Sequence, residues 1–269
     1  MSIRNLRIRP GRQEDYRAFV ELFSELGTND PVLDEARFAK DIAPTGLFAE
    51  DPSGNIVGYA FYQIFAGTIY VRNLVTARQA RRRGVGSTLM EAIAGFGCSS
   101  GCASWRLNVR PENVAAVALY EKLGFRIQYE SYALRLAWAL TENCQLVEGI
   151  FARRIDPSDD AALERSMGFL SGQLAATRLN ADRVLLLIET PPIGIVGAAI
   201  FNPLFPGAYP FHVSRPELAF SLLRALRPYA KVTDTFVHVV IEDQLEVANF
   251  LMSEGATLNM RTVHMLGSL

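Results

Sequence analysis

The residues with the strongest chemical promise are Arg81-Arg82-Arg83-Gly84-Val85-Gly86-Ser87-Thr88, which lie between an apolar β-type run ending at Thr76 and a segment of helical periodicity. Glycines two apart let a backbone approach a ligand closely, and a helix start offers unpaired N–H groups and partial positive charge to an anion. A pyrophosphate fits that description. Arg78 and the three consecutive arginines add charge that suits a further phosphate. The competing reading is a solvated, Arg-rich helix start. Two familiar nucleotide loops do not fit: no Gly-Lys-Ser/Thr follows four intervening residues, and position 89 is Leu where a dinucleotide loop needs its third glycine.

A second string, Asn113-Val114-Ala115-Ala116-Val117-Ala118-Leu119-Tyr120-Glu121-Lys122-Leu123-Gly124-Phe125, predicts a helix that Gly124 closes in the left-handed conformation. With the loop, it resembles the GNAT superfamily of N-acetyltransferases, which pairs Arg/Gln-x-x-Gly-x-Gly/Ala with Asn-x-x-Ala-x-x-Leu-Tyr-x-x-Leu-Gly-Phe. The loop match is Arg81-x-x-Gly84-x-Gly86. The helix match takes in Asn113, Ala116, Leu119, Tyr120, Leu123, Gly124 and Phe125.

The resemblance implies acetyl-CoA as the acyl donor, lying in a V-shaped opening between the strand ending near Thr76 and the strand around Leu107. Main-chain groups of Leu74, Val75 and Thr76 would hold its pantetheine arm. Amides of Arg81, Arg82, Arg83, Gly84, Val85 and Gly86, with Ser87 and Thr88, would cap the pyrophosphate. Asn113 would bond the pantetheine side, and Tyr120 would sit near the thioester sulfur as the catalytic residue. A carboxamide both donates and accepts, and a phenol of reference pKa ~10 can protonate a departing thiolate of reference pKa ~8.5.

The base is less evident. Many family members carry an acid on the fourth strand, but Thr68 to Thr76 contains none, with Arg72 and Asn73 in that area. Glu50, Asp51 and Glu130 are the acids on neighbouring elements, each competing with a role as a solvated charge, and a water chain is an equal candidate. All three histidines lie in the second half, so the motif-bearing half holds neither a His triad nor a His-containing metal cluster, and no metal is expected. Cys98 and Cys102 read as helix-end thiols.

The elements that must position these residues alternate between β and α. A strand at Leu6–Arg9, a helix from Gln13 to Leu26, a short helix over Asp34–Ile42, and apolar runs Leu47–Glu50, Ile56–Phe65 and Thr68–Thr76 predict a strand, two helices and an antiparallel meander. The loop and its helix follow, then a strand at Trp105–Val109, the Asn113–Lys122 helix, and two closing strands over Phe125–Tyr129 and Tyr132–Trp138. The second half repeats the order more weakly: Arg154 to Asp160 parallels Arg9 to Asp15 at an offset of 145, and Phe250 to Ala256 parallels Leu119 to Phe125 at 131. Its strand-to-helix stretch, Phe211 to Leu218, lacks the Arg-rich, Gly-x-Gly turn; Gln244 stands where Asn113 does, and Leu251 replaces Tyr120.

The expected fold is therefore α/β with a mixed sheet, as two tandem GNAT-like domains: a donor-binding catalytic domain over 1–140 and a degenerate one over 147–269, linked around Thr141-Glu142-Asn143. The Pro-rich stretches Thr190–Gly194 and Asn202–Gly207 are candidate walls of an acceptor groove, with surface turns as the competing reading.

A net charge of −1 gives no field for nucleic acid or an anionic membrane. Three cysteines suit a reducing compartment, and neither a signal peptide nor a membrane span is apparent, so a cytoplasmic protein is expected, a monomer whose domain pair mimics a dimer. The function expected is direct acetyl transfer from acetyl-CoA to a primary amine of a small molecule or peptide. A non-catalytic acyl-CoA-binding or sensing module is the alternative.

Overall fold

The computed structural model describes residues 5–27, 31–144 and 147–269. The chain forms two compact units: residues up to Asn108 with Ala115–Arg126 and Met265–Leu269, and Val109–Val114 with Ile127–His264.

In the first unit, β1 (Arg7–Pro10), β2 (Gly46–Glu50), β3 (Ile56–Phe65) and β4 (Thr68–Thr76) are antiparallel neighbours, and β5 (Ser104–Val109) joins β4 in parallel. Strand alternation sends Tyr59, Phe61 and Gln63 to one face and Gly58, Ala60 and Tyr62 to the other. The Tyr59 face receives α1 (Tyr16–Phe23), whose Phe19 meets Tyr59 with ring centroids 5.3 Å apart. On that side lies also α2 (Glu35–Arg37), capped by the Asp34 carboxylate on the Arg37 amide at 2.8 Å and continued by a wide turn whose Phe38 packs on Phe19. The Gly58 face receives α3 (Val85–Ser99), with α4 (Val114–Lys122) beside its first turn.

The second unit holds β6 (Arg126–Ala137), α5 (Trp138–Asn143), β7 (Phe151–Arg154), α6 (Asp160–Ser166), α7 (Gln173–Arg178), β8 (Val184–Thr190), β9 (Gly194–Asn202), β10 (Gly207–Val213), α8 (Leu218–Leu226), β11 (Phe236–Glu242), α9 (Leu245–Ser253) and most of β12 (Thr257–Ser268). Its strands run in the order β6-β11-β10-β9-β8-β7. The core gathers Trp138, Phe201, Phe211, Leu222, Val239 and Leu251. Among the described residues, no helix is long and apolar enough to cross a membrane.

Four sequence expectations change. The two closing strands are one continuous β6, whose residues 131–137 pair with β11 from Phe236↔Ala137 to Glu242↔Ser131, and the Glu130 carbonyl accepts the Asp243 amide just beyond, which carries the extended backbone through 130 and 131. The compact units accordingly differ from a division at residue 140: β6 lies in the second, while Met265–Leu269 returns to the first, where the Leu269 amide bonds the Ala103 carbonyl at 3.1 Å. The expected linker begins as helix α5, with Thr141 fully buried and its hydroxyl on the Trp138 carbonyl; residues 145 and 146 lie outside the described residues.

The fourth correction concerns the repeat. Arg9 donates two hydrogen bonds to Asp15, both 2.7 Å, and a third to Glu50 at 2.9 Å. Arg153 does the same to Asp159, at 2.6 and 3.0 Å, and to Glu189, at 3.2 Å. Each aspartate also accepts the amide three residues before it. The equivalent arginine is thus Arg153, not Arg154, and the offset is 144, not 145; adjacent arginines leave the two registers indistinguishable by residue type.

These triads differ in burial: the Arg9 side chain is 10% exposed and that of Arg153 40%. Arg9→Met should therefore destabilise by about 3 kcal/mol, leaving an unpaired buried carboxylate. Arg153→Met should cost under ~1 kcal/mol. Burial alone would raise the Asp15 carboxyl, but hydrogen bonds from Arg9 and the Arg12 amide outweigh it, and the Arg153 hydrogen bond lowers Asp159. Carboxyls lowered on folding stabilise fully above their unfolded pKa of about 4, and that stability is lost as pH falls. Urea unfolding at pH 7 and pH 3 should show the gap between Arg9→Met and the parent closing on acidification.

A second expectation comes from the returning C-terminus. Gly267 lies so close to Trp105 that a Cβ would sit 2.5 Å from its indole nitrogen, and it also faces Phe125. A chain ending at His264 should expose these rings and melt several degrees lower, as should the fragment 1–140 that lacks the same cover. Calorimetric melting checks both.

Candidate donor site

The site begins where β4 and β5 part. Their parallel pairing runs from Thr68↔Ser104 to Val71↔Leu107 and no further. The register of β4 with β3 shifts between Tyr62↔Val71 and Phe61↔Asn73, so Arg72 is the extra residue of a bulge at that point. Beyond it, Leu74, Val75 and Thr76 pair with Ala60, Tyr59 and Gly58 on one side. Their other edge borders the fork, which leaves main-chain donors and acceptors for an extended ligand.

The loop then brings a helix start to the end of β4. Arg82 has φ 58° and Gly84, at the N-cap of α3, has φ 91°, two left-handed residues that fold the turn back onto the helix. No side chain caps α3, so its first amides are open to an anion. Val85 is buried against Gly58 and can contribute only its main chain. Thr88 bonds back to the Gly84 carbonyl through both its amide and its hydroxyl. Arg81 leaves the loop to pair with Glu25 at 2.7 Å, while Arg82 and Arg83 are exposed.

At Gly86, an added Cβ would lie 3.3 Å from Leu119 of α4 and 3.8 Å from both Leu74 and the Thr76 hydroxyl. The loop, the open edge of β4 and α4 therefore meet at this glycine. One residue on, Tyr120 is 7% exposed, its ring against Phe125 at 5.8 Å. Burial pushes its phenol well above the ordinary value, and among the described residues nothing hydrogen-bonds its hydroxyl. Asn113 immediately precedes α4, and its amide closes a turn on the Arg110 carbonyl; it is grouped with Val109–Val114 in the other compact unit. A helix start with free amides, a glycine in contact range of both β4 and α4, and an unzipped strand edge fit a phosphorylated pantetheine donor.

The three acids considered as bases are all engaged. Glu50 belongs to the Arg9 triad, so it is not the solvated charge that its sequence position suggests. Asp51 caps its own turn, accepting the Ser53 and Asn55 amides at 2.9 Å; the Asn55 amide leads in holding its carboxyl below the usual range. Glu130 accepts from the Tyr132 hydroxyl and from Arg261. Among the described residues, no group of three His, Cys, Asp or Glu side chains could hold a metal.

In the second half, the equivalent fork is filled from within. Gly197 pairs with Val213 as Gly58 pairs with Thr76, and the Ser214 amide bonds the Val196 carbonyl as the Ala77 amide bonds that of Val57. The strands β10 and β11 pair in parallel only at Gly207↔His238 and Ala208↔Val239. Gln244 inserts its carboxamide here, donating to the Val213 carbonyl at 2.6 Å and accepting its amide at 3.4 Å. Leu251 and Ala219 are fully buried, and Glu217, an anion, occupies the N-cap of α8. Burial lowers His212 beside Gln244, favouring its neutral form. The Pro-rich stretches lie at the β8–β9 and β9–β10 turns.

Sequence reasoning missed the bulge at Arg72, the Arg81–Glu25 pair, and the polar row beside the fork: Gln63, Tyr70, Arg106 and Asn108. The alternation of β5, with Trp105, Leu107 and Val109 buried and Arg106 and Asn108 between them, carried that last signal.

The model of the acetyltransferase (GNAT) family matches residues 10–125. Thialysine N-epsilon-acetyltransferase of Sus scrofa is 25% identical over 141 residues, covering 44% of this chain and 83% of the relative. The same enzyme of Mus musculus is 24% identical over 147 residues, covering 46% and 86%. Among solved structures, a GCN5-related N-acetyltransferase from Sphaerobacter thermophilus superposes with TM-score 0.70 at 17% identity, over 100% of this chain and 97% of that one. A tandem GNAT protein from the clavulanic acid biosynthesis pathway gives 0.61 at 15%, over 98% of each. The fold is thus shared along the whole length, second half included. Residues 10–125 thus match the acetyltransferase (GNAT) family, and the chain is an acyltransferase.

The geometry at Gly86 generates a direct test. Gly86→Glu adds bulk at Leu119 and a negative charge at the helix start, and should weaken acetyl-CoA binding by at least ~100-fold in a folded protein. Isothermal titration calorimetry reads it; unchanged affinity would remove the loop from the donor site. The aligned Ala219 is fully buried, so a charge there would test folding instead.

Proposed function

We propose that this chain transfers an acetyl group from acetyl-CoA directly to a primary amine, in the cytoplasm and as a single chain. The observation that carries this reading is the conjunction at Gly86 of an uncapped helix start, a strand edge released from pairing, and the helix that bears Tyr120. The diphosphate binds the amides from Arg81 to Gly86, with Ser87 and Thr88 alongside. The pantetheine arm lies along Leu74, Val75 and Thr76.

The amine nitrogen forms its bond to the thioester carbonyl carbon as the carbon–sulfur bond breaks. Tyr120 gives its phenolic proton to the departing thiolate, and the proton shed by the nitrogen passes through water, which restores the phenol. Water serves as acceptor because Glu50, Asp51 and Glu130 are committed elsewhere. The raised pKa of Tyr120 keeps it protonated throughout the working range.

Tyr120→Phe removes the hydroxyl and leaves the ring on Phe125. Turnover should fall ~10²–10⁴-fold, with acetyl-CoA affinity within about threefold of the parent. Free thiol release with a panel of amines, beside calorimetric titration of the donor, measures both. Equal turnover in a regime where chemistry limits the rate would reduce Tyr120 to packing; donor binding without thiol release for any amine would favour an acyl-CoA sensor.

A further inference from the structure

Acyl transfer needs two substrates, and the two faces of the first unit's sheet differ at the fork. The loop, α3 and Tyr120's helix lie on the Gly58 face. The opposite face carries a row of polar side chains in register across three strands: Gln63 of β3, Tyr70 of β4 and Arg106 of β5. Asn108, two residues on, shares their face and donates to the Tyr70 hydroxyl at 3.0 Å. Arg72 stacks over the Tyr70 ring at 3.8 Å and bonds Gln63 at 2.8 Å. The row ends at Val71↔Leu107, the last pair before the strands separate.

Arg106 is the member whose charge is unanswered. It is only partly exposed, its Nε is enclosed, and among the described residues no hydrogen bond or ion pair reaches it. A guanidinium in such a place wants an acceptor, and its two Nη groups, which are not enclosed, can meet the two oxygens of a planar carboxylate together. Its flanking residue Asn108 and the row's Gln63 are neutral amides, and Arg72 already has Gln63 and the Tyr70 ring. One guanidinium matches one negative charge; a dianionic group would leave the second uncompensated.

We propose that Arg106 binds a carboxylate carried by the acceptor, so that the acceptor is an amine of amino-acid type and not a simple alkylamine or polyamine. This rests on the amine-acetylation reading above. The carboxylate pairs with the guanidinium on the face opposite α3, and the amine reaches into the fork between β4 and β5, where the thioester is held. Arg106 therefore sets specificity and does not touch the transferred group.

Matched acceptors test it on the full chain at saturating acetyl-CoA: 6-aminohexanoate against hexylamine, L-lysine against 1,5-diaminopentane, and glycine against glycinamide, each by thiol release. The parent should prefer the carboxylated member of at least one pair by tenfold or more in kcat/KM. Arg106→Gln should raise KM for that member by about 10- to 100-fold, with kcat and acetyl-CoA affinity within about threefold. The preference should collapse, and Arg106→Lys, which keeps the charge but not the fork, should restore it in part and serves as the test if the glutamine variant does not fold. No preference in the parent, or a preference that survives Arg106→Gln, overturns the proposal while leaving amine acetylation standing. Should no amine release thiol although acetyl-CoA binds, the acetylation reading fails; calorimetric titration of 6-aminohexanoate into the CoA-loaded protein then decides the carboxylate site, which is overturned if binding is absent or unchanged by Arg106→Gln.

Discussion

The candidate donor site depends on the close approach of α3 to the sheet at Gly58. A Cβ at that position would lie 2.7 Å from the Val75 carbonyl oxygen and 2.8 Å from Val85, the first residue of α3. The helix start is therefore pressed against the strand pair at the end of β4, closer than any side chain would allow. Every later requirement follows from this contact. The turn from Ala77 to Gly84 must reverse within a short span, which the left-handed Arg82 and Gly84 accomplish, and the amides of the first helical turn then lie beside the unzipped edge of β4. Helix dipole and strand edge meet at one point because one glycine permits it.

The duplication shows how scaffold and chemistry separate. Both halves keep an arginine on the first strand, paired with an aspartate at the following helix start and with a glutamate on the neighbouring antiparallel strand. Both keep the glycine opposite the end of the fourth strand. What the second half lacks is confined to the ligand side. Gln244 hydrogen-bonds the main chain that an arm of donor would need, and Leu251 offers no proton. A buried strand edge left without a partner would carry unpaired amides, which such a side chain satisfies. The carboxamide, donor and acceptor at once, satisfies both groups of one residue.

Much of this was legible in the sequence because it is local. The meander, the loop, its helix and the Asn113–Phe125 string are written in alternation, periodicity and glycine position, and the limits of β4 follow from its β-branched and aromatic run. The illegible parts are those that depend on pairing partners. Whether Phe125–Trp138 is two strands or one depends on the pairing at residues 130 and 131 with the end of β11, which lies about a hundred residues later in the chain. The return of Met265–Leu269 to the first unit leaves no mark on local composition. Arg153 and Arg154 are equal candidates by type, and only the position of Asp159 and Glu189 in space separates them. Glu50 reads as a surface acid until Arg9 is seen across the β1–β2 pair.

Burial of Tyr120 bears on how the leaving group is served. General acids work best with a pKa near the working pH, and burial moves this phenol away from it. In equilibrium terms it is a weaker acid than the thiol whose sulfur it would protonate, so it gives nothing to a sulfur that still holds the acyl group. The balance shifts as the carbon–sulfur bond breaks, because charge would then gather on sulfur beside the buried hydroxyl. A neutral hydroxyl with no competing hydrogen bond is well placed to meet that charge, and an enclosed donor is worth more there than in water. The same burial keeps the proton on the oxygen until then. In the proposed reaction Tyr120 would act first as a fixed hydrogen-bond donor to developing negative charge, the proton following only when the bond to carbon has gone.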